Sequence, residues 1–190
     1  MANLAVFCSG NGSNFEAICE AVEKRKLRAK VALMVCDRAE AFALKRAAKN
    51  GVPVFFLSPK HFKSRRDYEK MVVRVLKTQK VDLVVLAGFM RIFTPYFIGA
   101  YRGRILNIHP SYLPDFKGAH AIRDAFQAGV KVTGITVHVV TKKVDAGPIL
   151  IQRRVQISRE DTLTSLEHKI HRMEHKIYPL AINKFLLRMN

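Results

Sequence analysis

Residues 4–24 read LAVFCSGNGSNFEAICEAVEK. An apolar run, Leu4 to Cys8, gives way to a small polar loop, Ser9 to Asn14, and then to an amphipathic run that starts at Phe15. Short apolar runs fit buried strands, whereas apolar residues recurring every three or four positions fit helices. Strand, glycine-punctuated loop and helix in this order open a βαβ unit. The same alternation recurs downstream. KVALMV (30–35), VPVFF (52–56), VDLVVLAG (81–88) and RILNIHP (104–110) are further strand-like runs, with helix-like stretches between the earlier ones. The pattern predicts an α/β fold, a mostly parallel sheet with helices on both faces.

Beyond Pro114 the pattern changes. AIRDAFQAG (121–129) reads as a helix, and GITVHVV (134–140) and GPILIQRRVQI (147–157) read as two strands joined by TKKVDA, a hairpin loop or a longer excursion. The sheet should become mixed there. From Asp161, Leu163, Leu166, Ile170, Met173, Ile177 and Leu180 follow at spacings of three and four, one helical face suited to packing on the sheet. Pro179 should bend or break that helix. No repeat, linker or low-complexity stretch interrupts residues 1–190, so one domain is expected.

With 190 residues, 49% of them hydrophobic and 25% charged, the chain can bury a real core. No apolar run approaches the ~18 residues of a membrane span, and no leader-like segment opens the chain, which reads as cytoplasmic. Cys8, Cys19 and Cys36 lie in apolar contexts without C-x-x-C spacing, so they read as buried free thiols rather than disulfides or zinc ligands. The formal charge of +18 suits an anionic partner, and charge by itself does not choose between phosphate, polycarboxylate, nucleic acid and acidic lipid. A nucleic-acid-binding module would interleave basic residues with exposed aromatics, whereas most of the 12 Phe here fall in apolar patterns.

The loop SGNGSN places backbone N–H groups and hydroxyls at a helix N-terminus, where the helix dipole favours negative charge. Phe15 stands where a G-x-G-x-x-G fingerprint needs its third glycine, and the G-K-[ST] ending of a P-loop is missing. A lone phosphate held by Gly12, Ser13 and Asn14 fits better; a plain turn with Ser13 as helix N-cap is the alternative. The second informative stretch is NIHPSYLPDFKGAH (107–120). Ligands of open α/β sheets bind beyond the carboxyl ends of strands, and residues two apart on a strand point the same way. Asn107 and His109 would therefore present an amide and an imidazole together, a pair able to grip an oxyanion, unless His109 only satisfies the core. Asp145, in KKVDAGP (142–148), would favour a cationic imidazole nearby; its alternative is an ordinary turn residue.

Taken together, SGNGSN, AGFMRI (87–92), NIHPSYLPDFKG (107–118), VTGITVHVV (132–140), VDAGPI (144–149) and EHKIYP (174–179) resemble the phosphoribosylglycinamide formyltransferases, the folate-dependent glycinamide ribonucleotide transformylases of purine synthesis. The likeness runs collinearly from Leu4 to about Leu187. It implies a Rossmann-like formyltransferase fold and transfer of a formyl group from 10-formyltetrahydrofolate, a cosubstrate, to the amine of 5-phosphoribosyl-glycinamide, without a metal. It further implies that Asn107 and protonated His109 stabilise the tetrahedral intermediate, with Asp145 raising the His109 pKa and helping a water move the amine proton. Gly12, Ser13, Asn14 and Glu174 would bind the ribonucleotide; Arg65, Asn107 and the chain around Met90, Arg91, Ile92 and Phe93 would line the folate pocket. The implied partners are small molecules, with neither nucleic acid nor membrane. Lys142 and Lys143 depart from the family, in which an acidic residue is expected in that loop. His120 and His138 would stand behind the site, and His171 replaces a longer polar side chain. Formyltetrahydrofolate hydrolases and methionyl-tRNA formyltransferases share the Asn-His-Asp chemistry, but resemble longer chains with an added domain.

Overall fold

A computed structural model describes residues 1–189. The strand-like runs form β1 (Ala2–Cys8), β2 (Ala29–Cys36), β3 (Val54–Phe56), β4 (Leu83–Leu86), β5 (Ile105–His109), β6 (Val132–Val139) and β7 (Ile149–Gln156). They make one sheet in the order β3-β2-β1-β4-β5-β6-β7. The first five are parallel, and β6 and β7 join antiparallel, so the sheet is mixed where the sequence predicts.

The helices are α1 (Ser13–Glu23), α2 (Ala43–Lys49), α3 (Arg65–Thr78), α4 (Pro95–Ala100), α5 (Ala121–Gln127) and α6 (Leu163–Met189). Alternation along β1 separates two cores: Leu4, Val6 and Cys8 pack with α1, α2 and α6, whereas Ala5 and Phe7 pack with α3 and α4. The strand order reverses beside β1, since the chain moves outward to β2 and β3 and then returns to β4 on the other side. Loops after β1 and β4 thus flank one crevice, the ordinary ligand position of such sheets. The three cysteines are buried and free, and burial pushes the Cys19 thiol up to about 12.

Two expectations about α6, a break at Pro179 and a buried Leu180, need correction. The helix runs through Pro179 without interruption, although proline removes one backbone donor. Packing supplies the compensation. Tyr178, fully buried, directs its hydroxyl at the carbonyl oxygens of Leu86 (2.8 Å) and Leu106 (3.2 Å), anchoring the helix to β4 and β5 beside the proline. Leu180 is 55% exposed, because the buried face passes from Leu166, Ile170 and Ile177 to Ala181, Ile182 and Leu186.

Candidate active site

The loop after β1 is shaped by its second glycine. Gly12 has φ +75, the left-handed region, and a Cβ there would lie 2.7 Å from the Ala43 Cβ at the start of α2. Only glycine satisfies both demands. Gly12 is also the N-cap of α1 and offers no side-chain cap, so Ser13 is the first helical residue and not the cap of the alternative reading. The first N–H groups of α1 are left for an outside acceptor. Arg46 fixes the loop from α2, donating to the Asn11 carbonyl (3.0 Å) and Asn11 Oδ1 (3.1 Å) and pairing with Glu16 (3.0 Å).

Asn14 and Glu174, far apart in sequence, meet here. Asn14 Nδ2 donates to Glu174 Oε2 at 3.0 Å, and His171 Nδ1 lies 2.9 Å from the same oxygen. Glu174 is 3% exposed, and the bond from His171 raises that imidazole above its ordinary 6.5. Asn14 Oδ1 is buried without a partner.

The second group forms where β5 meets β6. Asn107 stands opposite His138 and His109 opposite Thr136, which puts all four side chains on one face. Asp145 reaches them from the β6–β7 loop. Its Oδ2 lies 3.5 Å from His109 Nδ1 and its Oδ1 3.5 Å from His138 Nε2. Gly118 N donates to Asp145 Oδ2 at 3.1 Å, tying in the loop that follows β5. Burial raises the Asp145 carboxyl, but the His138 imidazole, the Gly118 amide and the charge of His109 outweigh it and hold the group below its ordinary 3.8.

Asp145 is positioned by unusual backbone. It has φ +48, and two residues on, a Cβ at Gly147 would fall 1.7 Å from the Val139 carbonyl oxygen. His138 orients the amide: with Nδ1 as donor to the Val139 carbonyl (3.2 Å), Nε2 accepts from Asn107 Nδ2 (3.2 Å). The second amide hydrogen of Asn107 remains for a ligand. His109 Nε2 contacts the Phe116 carbonyl at 2.9 Å, so the loop after β5 covers the imidazole.

The loop after β4 brings the remaining candidates. Met90 and Ile92 are 61% and 62% exposed, apolar surface beside the cluster, whereas the Phe93 ring is buried against Phe97 and contributes its backbone only. Arg65, at the start of α3, donates to the Ile92 carbonyl at 3.4 Å, and Arg91 pairs with Asp37 at 3.4 Å. Of the residues the sequence left in the background, His138 is central. Its signal was present in the strand alternation, since the neighbour of a catalytic strand exposes every second residue to the same face. His120 is exposed and makes no side-chain cap for α5. Lys142 and Lys143 are both exposed.

A doubly wound sheet with an amide, an imidazole and a carboxylate gathered at its fifth and sixth strands suits a group-transfer enzyme. A family model described as formyl transferase matches residues 2–182, and the chain belongs to that family. The relatives give the branch: the chain is 44% identical to the phosphoribosylglycinamide formyltransferase of Bacillus subtilis, over 98% of this chain and 95% of that one. It is 39% identical to the enzyme of the same name from Escherichia coli, over 96% and 86%. The crystal structure of phosphoribosylglycinamide formyltransferase from Bacillus halodurans superposes with a TM-score of 0.96 at 45% identity, covering 99% of this chain and 97% of that one. Among the described residues no helix is long and apolar enough to cross a membrane, and no group of three or more His, Cys, Asp or Glu could hold a metal ion.

Proposed function

We propose that the enzyme transfers the formyl group of 10-formyltetrahydrofolate to the amine of 5-phosphoribosyl-glycinamide, a step of purine biosynthesis in the cytoplasm. The observation that carries this reading is the convergence of Asn107, His109 and Asp145 from two separate segments. The amine nitrogen attacks the formyl carbon, and the carbonyl oxygen gains negative charge. The free amide hydrogen of Asn107 and the protonated His109 stabilise that oxyanion. Asp145, whose Oδ2 lies 3.5 Å from His109 Nδ1, orients the imidazole and sets a carboxylate beside it. The carbon–nitrogen bond to the folate then breaks, and the amine proton passes through water beside Asp145 to the departing nitrogen. For His109 Nε2 to reach the oxyanion it must exchange the Phe116 carbonyl for substrate, so the loop after β5 shifts on binding.

At the other end of the crevice the N–H groups of α1, with Gly12, Ser13 and Asn14, hold the ribonucleotide phosphate. Glu174 and Asn14 form a joined acceptor and donor pair for the sugar or the glycinamide. Met90, Ile92 and the backbone through Phe93 line the folate pocket with Arg65, Arg91 and Asn107. Folate acts as cosubstrate and no metal takes part.

The test mixes the protein with the ribonucleotide and a 10-formyl folate and follows deformylation with and without the amine. Release of folate only when the amine is present, with formylated ribonucleotide formed in equal amount, is the expected result. Deformylation in water without the amine would replace this reading with that of a hydrolase.

A further inference from the structure

Ser9 opens the loop after β1, and its bonds run to the loops after β2 and β4. It is 2% exposed. Its N–H donates to the Gly88 carbonyl (3.0 Å), and its Oγ accepts from the Met90 N–H (2.9 Å). The same Oγ donates to Asp37 Oδ1 at 2.7 Å. Asp37, whose side chain is 6% exposed at the end of β2, pairs through Oδ2 with Arg91, and the Arg91 guanidinium lies 5.7 Å from the centre of the Tyr68 ring. Ser9 thus ties the first loop of the crevice to the loop after β4 at two points, Gly88 through its backbone N–H and Met90 through its hydroxyl, and Asp37 extends the tie to a third residue of that loop, Arg91.

We infer that Ser9, backed by Asp37, is a positioning residue that fixes the loop of Met90 and Arg91 for the formyl donor, and through it sets the donor's register to the acceptor amine. The inference rests on the proposed assignment of that loop to folate. Its physical basis is geometric. The Ser9 hydroxyl commits its one donor to Asp37 and accepts from the Met90 N–H, and it bonds to none of Gly12, Ser13 and Asn14. Without it, the Met90 N–H and Asp37 Oδ1 lose their partners in a partly buried site, and the loop gains freedom that the donor must remove on binding. The consequence should be specific to one substrate.

The experiment measures both KM values and kcat for the wild type, Ser9→Ala and Asp37→Asn, together with hydrogen exchange at the Met90 amide. For Ser9→Ala the folate KM should rise about tenfold, equivalent to ~1.4 kcal/mol. The ribonucleotide KM should stay within about twofold, and Met90 should exchange faster, as expected when one such bond is lost. Asp37→Asn keeps an acceptor for Ser9 but weakens the pair with Arg91, so it should raise the same KM by less. An unchanged folate KM, or an equal rise in both KM values, overturns the inference. If Ser9→Ala does not fold, Asp37→Asn decides, and an unchanged folate KM in that variant overturns it. A wild type that turns over no formyl folate refutes the functional reading instead, and exchange at Met90 then tests the Ser9 tie alone: unchanged exchange overturns it.

Discussion

Gly147→Ala should disable the enzyme by moving a residue it does not touch. A Cβ at Gly147 would sit 1.7 Å from the Val139 carbonyl oxygen, where real Cβ contacts are essentially never under 3.0 Å. The gap must therefore open by at least the difference, 1.3 Å, and the obstacle is backbone at the end of β6 rather than a flexible side chain. The β6–β7 loop is the part able to yield, and it carries Asp145 two residues away. A misplacement of ~1 Å near the reacting groups can cost about 10²-fold in rate. Asp145 lies 3.5 Å from both His109 and His138, so a shift of that size separates the carboxylate from one or both. Overpacking of this kind also costs about 1–3 kcal/mol of stability, and each kcal/mol lowers Tm by roughly 2–4 °C in a chain of this size. Steady-state kinetics and a thermal melt measure both effects. Gly99→Ala in α4 is the control, because nothing lies within 4 Å of its Cβ position and its φ is ordinary; it should be neutral or slightly stabilising. Wild-type kcat and Tm in Gly147→Ala would refute the reasoning, since the loop would have yielded without displacing Asp145.

Asp145→Asn should keep the shape of the loop and leave both KM values nearly unchanged while kcat falls by ~10² to 10⁴, because the lost charge acts mainly in the transition state; near-normal kcat would return Asp145 to a purely conformational role. Ser13→Asp should raise the ribonucleotide KM at least tenfold, on the order of 1.4 kcal/mol, with the folate KM unmoved, and an unaltered ribonucleotide KM would remove the phosphate from this loop. Glu16, bonded first by Lys49 and then by Arg46 against the opposing effect of burial, has its carboxyl held below its ordinary 4.5. A depressed folded value stabilises above the unfolded value and is lost as pH falls through the folded one. Thermal melts should show the wild type exceeding Glu16→Gln at neutral pH, with the difference shrinking as pH drops below about 4.5; a difference independent of pH would show that the ion pairs contribute nothing.

β1, β2 and β4 were legible because each is a short, mostly apolar run bounded by polar or turn residues, and a largely buried parallel strand needs little else. Asn107 and His109 were legible for a related reason, since the end of a central strand is where polar side chains leave the core. Local patterns failed where distant groups decide. Pro179 should bend or break a helix, yet α6 continues through it, with the Tyr178 hydroxyl bound to two strand carbonyls beside it. Leu180 follows the apolar spacing but projects outward, because after Pro179 the sheet-facing stripe falls on Ala181 and Ile182. The sequence placed His138 only behind the site; the antiparallel register sets it directly opposite Asn107. That register depends on a β5–β6 pairing that no stretch of sequence displays by itself.

The charge of the chain can be understood in the same terms. Its 33 Lys and Arg exceed its 15 Asp and Glu, and the crevice would still be hard on anions if those few carboxylates stood free within it. They do not stand free. Glu16 is held by Arg46 and Lys49, Asp37 by Ser9 and Arg91, Glu174 by Asn14 and His171, and Asp145 by Gly118 with two imidazoles beside it. Each of these four acids is thus offset by a donor or cation of its own, so the surplus of the surface is positive. A phosphate and a folate carboxylate approaching from solvent meet an attractive field with the local repulsion already cancelled, and that field increases the rate of encounter more than the strength of binding. The acids proposed for catalysis and positioning suit a site for anions because each of the four has a partner.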